Sequence, residues 1–320
     1  MKTLIRFLLC AGCAAGAACA LAQGYPAKPV RVVVGFSAGS TTDLIGRVLA
    51  AKLGDGLGQP VVVDNRPGAG ANIAAELVAK TAPDGYTVLL ANAGIATGAT
   101  AYVLNFNALR DFAPVSQVSA TPHILVTHPS LPPKTVKELV AFTRARPGEL
   151  NFASTGHGNS DHLAAELFSY MTGLKMVHVT YKGGPLALND LITGQIEMYF
   201  AGVPVALPLV NAGRVRALGV TGAKRAAVLP DVPTVAEAGV PGYEHILWGM
   251  LLVPAVTPKD IVARLNREAV KVLEAADVRE RYAGMGVEPA PSTPERAAAY
   301  LRSETEKYAK VVKAIGLRIE

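Results

Sequence analysis

Twice in this chain a run of β-branched and apolar residues ends in a loop of glycine, serine and threonine, and the loop opens straight into an amphipathic helix. The first instance is VRVVVGFSAGSTTDLIGRVLAAKL, residues 30–53, and the second is GELNFASTGHGNSDHLAAELF, residues 148–168. A strand that turns tightly into a helix must lay the helix back across its own sheet, so units of this kind in series give a parallel sheet covered by helices on both faces. The crossovers are right-handed. The rest of the chain keeps the alternation. Residues 61–64 and 87–92 read as strands, and 42–53 and 71–79 as helices. A second cycle begins near Ile124, with a helix over 135–144 whose Thr135 and Glu138 have the spacing of a capping box. Strands follow at 150–154, 176–181, 197–200 and 215–221, with a helix over 163–171 between the first two. The end differs: an apolar run at 248–253 is followed by amphipathic helices at 258–275 and 294–314.

The N-terminus is a separate matter. Lys2 and Arg6 precede an uncharged apolar stretch, and Ala20-Leu21-Ala22 supplies a small-residue cleavage site before Gln23. This is the pattern of a secretory signal peptide, residues 1–22, and the apolar run is shorter than the ~20 residues that a membrane span needs. A lipoprotein through Cys13 or Cys19 is the weaker alternative, since neither has a leucine three positions upstream. Cys10, Cys13 and Cys19 are the chain's three cysteines and all lie in the leader. The mature chain therefore has no disulfide, thiol nucleophile or thiolate metal site, and its length suggests two domains held by their cores alone. The formal charge of +6 loses two with Lys2 and Arg6 and becomes +4. It is spread along helices without a basic block, so no nucleic-acid partner is expected.

GFSAG, residues 35–39, is a literal G-x-S-x-G, the pattern of a serine hydrolase's nucleophile elbow. An elbow also needs an oxyanion loop from an earlier strand, and here the motif follows the first strand of the mature chain. A secreted serine hydrolase using Ser37 is the alternative reading. The other reading is an anion site. Small residues turn the backbone tightly, the helix N-terminus supplies free N–H groups and partial positive charge, and Asp43 in the first turn is placed to tie the loop down. The second loop repeats the design with Ser154, Thr155, Gly156, Gly158, Asn159 and Ser160. Two such loops at the C-terminal ends of strands in two units suggest one ligand between two domains. Of the histidines, His162 reads as a helix-terminus residue and His178 as structural, and their spacing suggests no metal site.

Taken in order and spacing, YPAKPVRVVVGF, LGQPVVVDNRPGAGANIAAELVAK, APDGYTVLLAN, DFAPVSQV, GELNFASTGHGNSDHLAAELF, HVTYKGGPLALNDLITGQIEM, PDVPTVAEAGVPGYE and LWGMLLVP resemble the extracytoplasmic solute-binding proteins of tripartite tricarboxylate transporters, the TctC-like or Bug family. The resemblance covers nearly the whole mature chain. It implies an α/β, two-domain periplasmic binding protein (type II) fold, each domain a mostly parallel sheet flanked by helices, with a two-strand hinge. Domain 1 would be 24–122 plus 247–320 and domain 2 would be 123–246, hinged near Pro122 and Leu247. It implies a periplasmic, non-enzymatic, monomeric protein without cofactor. Such a protein captures a small carboxylate, a di- or tricarboxylate or an aromatic acid, and its partner is a membrane transporter or a sensor.

Carried onto this chain, the ligand contacts would be Phe36, Ser37, Ala38, Gly39, Ser40, Thr41 and Asp43 in the first loop. The second loop would give Ser154, Thr155, Gly156, His157, Gly158, Asn159 and Ser160. Asn92 and Gly94 would come from the loop after the third strand, Ala201 from the segment that reads the ligand's distal end, and Trp248 from the apolar run. The chain departs from the family pattern in three places. Ser40 stands where the first loop often has glycine, His157 where a neutral residue is common, and Ala201 where some members carry an acid for a ligand's amine.

Overall fold

The computed structural model describes residues 24–314 and residue 316. Residues 1–22, expected from the sequence to be a signal peptide, and the three cysteines in them lie outside the described residues.

Strand β1 (Val30–Val34) starts the sheet and helix α1 (Thr41–Leu57) returns across it. Val30, Val32, Val33 and Val34 are all buried, the signature of a parallel strand covered on both faces. Ser40 caps α1 by accepting from the Asp43 N–H, and Gly58 ends it at φ 72°. There follow β2 (Val61–Asn65), α2 (Asn72–Ala79), β3 (Thr87–Ala91), α3 (Gly94–Ala101) and a long β4 (Phe112–Thr127). The middle of the chain gives α4 (Val136–Arg144), β5 (Asn151–Ser154), α5 (Ser160–Thr172), β6 (Val177–Thr180), α6 (Gly184–Ile192), β7 (Met198–Gly202), α7 (Val203–Asn211) and β8 (Arg216–Val220). The end gives β9 (Ile246–Pro254), α8 (Lys259–Glu274), α9 (Ala276–Gly284), β10 (Glu288–Pro289) and α10 (Pro294–Ala314).

The strands run in the order β2-β1-β3-β9-β4-β7-β5-β6, with β8 and β10 paired to β4 off this path. The pairs β1–β2, β1–β3, β5–β6 and β5–β7 are parallel. The joining strands are antiparallel: β9 runs beside β3 and β4, and β4 beside β7 and β8. The β4–β9 ladder ends at Pro122↔Ile246, and from His123 onward β4 pairs with β7 and β8 instead. One strand thus belongs to both halves of the sheet, and the chain returns at the same level through Ile246.

Four apolar clusters cover the two faces of the two halves. One packs Val30, Val32 and Val34 under α1 and α8, and another packs Val33 and Leu89 under α2, α3 and α10. The clusters around Ile124 and Leu125 do the same for the second half, under α6 and α7 and under α4 and α5. The alternation read from the sequence is present, but α3, α6, α7 and α9 are not foreshadowed by it. GIATGATA and VPVALPLVN are apolar almost all round, and GPLALNDLI, although it buries Gly184, Ala187, Leu188 and Leu191 at helical spacing, is short and mostly apolar. Strand β4 is also longer than its run at Ile124 suggests. Pro114 and Pro122 interrupt its pattern, and the register shifts beside Pro114 and again beyond Gln117.

Candidate ligand site between the halves of the sheet

A small cavity lies between the two halves of the sheet. Its walls are Phe36, Ser40, Thr41, Thr42, Asn92 and Leu247 on one side, and His123, Thr155, Asn159, Ser160, Asp161, Gly184, Tyr199 and Gly202 on the other. Among the described residues no lysine or arginine lines it. The N-terminus of α1 enters through Ser40, Thr41 and Thr42, that of α5 through Asn159, Ser160 and Asp161, that of α6 through Gly184 and that of α7 through its cap Gly202. Four helix dipoles turn their positive ends to one space.

The hydrogen-bond account shows which donors are free. In the first loop the Ser37 N–H donates to the Lys182 carbonyl at 3.3 Å, the Ser40 N–H to Ser37 at 3.1 Å and the Gly39 N–H to Asp43 Oδ2 at 2.8 Å. The Thr41 and Thr42 N–H groups have no acceptor among the described residues. In the second loop the Thr155 N–H goes to Asp161 Oδ2 at 2.8 Å, the Gly156 N–H to Ser154 Oγ at 3.1 Å and the Gly158 N–H to His162 Nδ1 at 3.1 Å. The Asp161 N–H is left without an acceptor among the described residues. Asn92, which lines the cavity, uses Oδ1 to accept from Gly94 N–H at 3.0 Å, and its amide NH₂ has no acceptor among the described residues.

Two buried aspartates hold the loops. Asp43 accepts from Gly39, from Asn65 Nδ2 at 2.9 Å and from Arg47 Nε at 2.8 Å. Burial by itself pushes its carboxyl up, but these three donors outweigh burial and hold it below the usual carboxylate range. Asp161 accepts from Thr155, from Tyr199 Oη at 2.9 Å and from His162 N–H at 2.9 Å, all neutral, and burial leaves its carboxyl raised.

His123 and His245 flank Ser160 from the two connections between the halves. Their Nε2 atoms each lie 3.0 Å from Ser160 Oγ. Burial pushes His123 down to about 3 against the pull of the Ala201 and Phe200 carbonyls, and pushes His245 well below its ordinary value, helped by His123 and Lys307. Both imidazoles are neutral at neutral pH, so they orient Ser160 without adding charge.

The two sides meet closely. Tyr102 Oη donates to the His157 carbonyl at 2.7 Å and Thr97 Oγ1 to the Gly158 carbonyl at 2.5 Å. A Cβ on Gly183 would collide with Ser37, and one on Gly202 with Thr41, so these glycines let the walls approach.

Of the residues singled out in the sequence, the fold gathers Phe36, Ser40, Thr41, Asn92, Thr155, Asn159 and Ser160 at the cavity. Other residues singled out in the sequence stand elsewhere. Asp43, Gly94, Ser154, Gly156 and Gly158 brace the loops from behind, and Ala38 and Gly39 lie outside the lining. Trp248 is fully buried in the first half, its Nε1 donating to Glu304 at 2.8 Å, and Ala201 packs beside Ile124. In both strands the neighbour lines the cavity instead, Leu247 and Gly202, because successive strand residues face opposite sides. Ser37 Oγ is buried and has no hydrogen-bond partner, so the Ser–base pair that an elbow nucleophile requires is not formed. The sequence offered no signal for Tyr199 or Thr42. His123 was visible only as one histidine among six.

His157 turns its ring away from the cavity, toward His162 and His178. Linear spacing gives no metal pattern among the histidines, yet these three converge from a loop, a helix and a strand. Burial and its two histidine neighbours push His178 down to about 2, and burial and His162 lower His157.

Two α/β halves joined through β4 and β9, with loops and helix N-termini facing a cavity between them, define the fold of a periplasmic binding protein. The comparisons with known proteins are specific. A sequence profile of the tripartite tricarboxylate transporter family receptor, TctC, matches residues 45–317, and this chain belongs to that family. The R. palustris protein Rpa4515, solved with adipate, matches with a TM-score of 0.89 at 37% identity, over 92% of this chain and 99% of that one. The periplasmic binding protein BugD matches with a TM-score of 0.89 at 31% identity, over 92% of this chain and all of that one (100%). MatC (Rpa3494) from Rhodopseudomonas palustris, solved with malate, matches with a TM-score of 0.86 at 32% identity, over 90% of this chain and 100% of that one. Among the described residues no helix is long and apolar enough to cross a membrane.

Proposed function

We propose that this protein is a periplasmic solute receptor that captures a small dicarboxylate between two domains and delivers it to a tripartite tricarboxylate-type membrane transporter. The observation that carries the proposal is the set of free first-turn N–H groups of Thr41, Thr42 and Asp161, converging with the Asn92 amide on one cavity. Neutral, pre-aimed donors at helix N-termini bind a carboxylate without a counter-charge. The structures solved with adipate and malate support the ligand class. The absence of lysine and arginine from the lining argues against ligands of high negative charge.

In this reading the domains are 24–122 plus 247–320 and 123–246, and they close about Pro122 and Leu247. Closure excludes water around the anion, and the contacts of Ser37 with Lys182 and of Tyr102 with His157 belong to the closed state. The mature protein acts as a monomer after export by cleavage at residue 22. The test is a thermal-shift screen of that mature chain against adipate, malate, other di- and tricarboxylates, aromatic acids and amino acids. A ligand at about 100 times its Kd raises stability by about 2.7 kcal/mol. A dicarboxylate shift that disappears in Gly202→Val, which blocks closure against Thr41, is the expected result. A response to amino acids alone, or one indifferent to Gly202→Val, would overturn the assignment.

A further inference from the structure

We propose that His157, His162 and His178 form a site for one divalent transition-metal ion of the Zn²⁺ type on the outer side of the second loop. One ring nitrogen of each lies within 4.8 Å of one from each of the others. The ring centroids are 4.0 Å apart for His162–His178, 4.7 Å for His157–His178 and 5.6 Å for His157–His162. Glu166 Oε1 stands 3.5 Å from His162 Nε2, a carboxylate placed to orient that imidazole. Imidazole donors select zinc, copper or nickel over magnesium and calcium, which demand oxygen.

Ligand atoms around a tetrahedral ion with bonds of about 2.0–2.1 Å stand roughly 3.4 Å apart, so no pair need close by more than about an ångström and a half. His157 is the ring placed to move. It is exposed, and it sits between Gly156 at φ 133° and Gly158 at φ 66°. His178 is already fixed by Ser154 Oγ at 2.6 Å from its Nε2. His162 sets a condition. Its Nδ1 accepts the Gly158 N–H, so ligation through Nδ1 takes that lone pair, and ligation through Nε2 moves the ring proton onto Nδ1. Either way the Gly158 hydrogen bond breaks. Metal binding therefore reshapes the 156–158 turn, whose flanks Thr155 and Asn159 line the cavity.

The experiment is a titration of untagged, chelator-stripped mature protein with ZnCl₂ in competition with a chromogenic chelator. One ion per chain is expected, with a micromolar or tighter Kd. His157→Ala, at an exposed ring, should weaken binding by about tenfold or more with an unchanged urea midpoint. His178→Ala should do the same where it folds. His128→Ala, at a histidine outside the cluster, should leave the affinity unchanged. X-ray absorption should report imidazole ligation. Absence of stoichiometric binding, equal affinity in wild type and His157→Ala, or an equal loss in His128→Ala would overturn the site. None of these results depends on the carboxylate reading.

Discussion

The two glycine-serine loops use the same device and reach opposite electrostatic results. Each helix carries an aspartate in its first turn, and each aspartate accepts an N–H from the preceding loop: Asp43 from Gly39 and Asp161 from Thr155. Asp43 has Arg47, whose side chain is 52% exposed, as a charged partner. Asp161 has only neutral donors and lies wholly inside. The first loop is thus a charged brace that reaches the surface, and the second a buried polar network that continues into the histidines. The same motif sets the backbone in both, and what surrounds the carboxylate sets its chemistry.

The largest expected difference follows from the donors each aspartate leaves behind. Asp161→Ala removes the acceptor of the Thr155 and His162 N–H groups and of the Tyr199 hydroxyl, and His162 and Tyr199 are buried. An unsatisfied buried donor costs about 1–3 kcal/mol, so a loss of about 4 kcal/mol is expected. Asp43→Ala frees Arg47 to solvent and should cost about 1–2 kcal/mol. Urea denaturation of the two variants measures both, and equal losses would break the contrast between the loops.

Acid should separate them next. Asp43 titrates below its unfolded value of about 3.9, so its contribution is present above that value and is lost as pH falls through the folded one. Asp161 has the opposite sign: its folded value is raised, so its contribution is present at low pH and falls as pH rises through the folded value. The histidines around the second loop are depressed, so their contribution is present above about 6.5 and is lost as pH falls. His123, lowered to about 3, should alone remove about 2 kcal/mol between pH 7 and pH 5. His123→Gln should flatten the fall in urea midpoint over that range by this amount. An unchanged slope would mean that the ring is not held neutral.

What the sequence made legible tracks how local the cause is. The strand-loop-helix units, the Thr135 cap and the role of Asp43 as a loop brace depend on neighbours within a few residues, and each could be read directly, whereas the Ser40 cap emerged only from the structure. The division of β4 between two half-sheets depends on partners 71 to 142 residues away, from Thr127↔Met198 to Phe112↔Pro254, and its prolines hid its length. Beside Ala201 and Trp248 it is Gly202 and Leu247 that line the cavity, a distinction invisible in sequence because strand register is fixed by partners and not by the strand. The histidine cluster is the extreme case. It needs a loop, a helix and a strand brought side by side, and no spacing rule for one element can reveal it.

The smallest effect asks whether the two loops act on one group or on two. Thr41 presents a hydroxyl from the first loop's helix and Thr155 one from the second loop, and both line the cavity. Thr41→Val and Thr155→Val should each weaken binding of the best acid from the screen by roughly five- to tenfold, the worth of about one hydrogen bond. The double variant carries the information. If both hydroxyls hold the same carboxylate, removing one loosens the anion against the other, and the combined loss should fall short of the sum by about 0.5 kcal/mol or more. If each loop holds its own carboxylate of a diacid, the losses should add. Isothermal titration of the four proteins decides between these. Additive losses, together with weak binding of monocarboxylates, would turn the likeness of the two loops into the reason for a two-headed ligand.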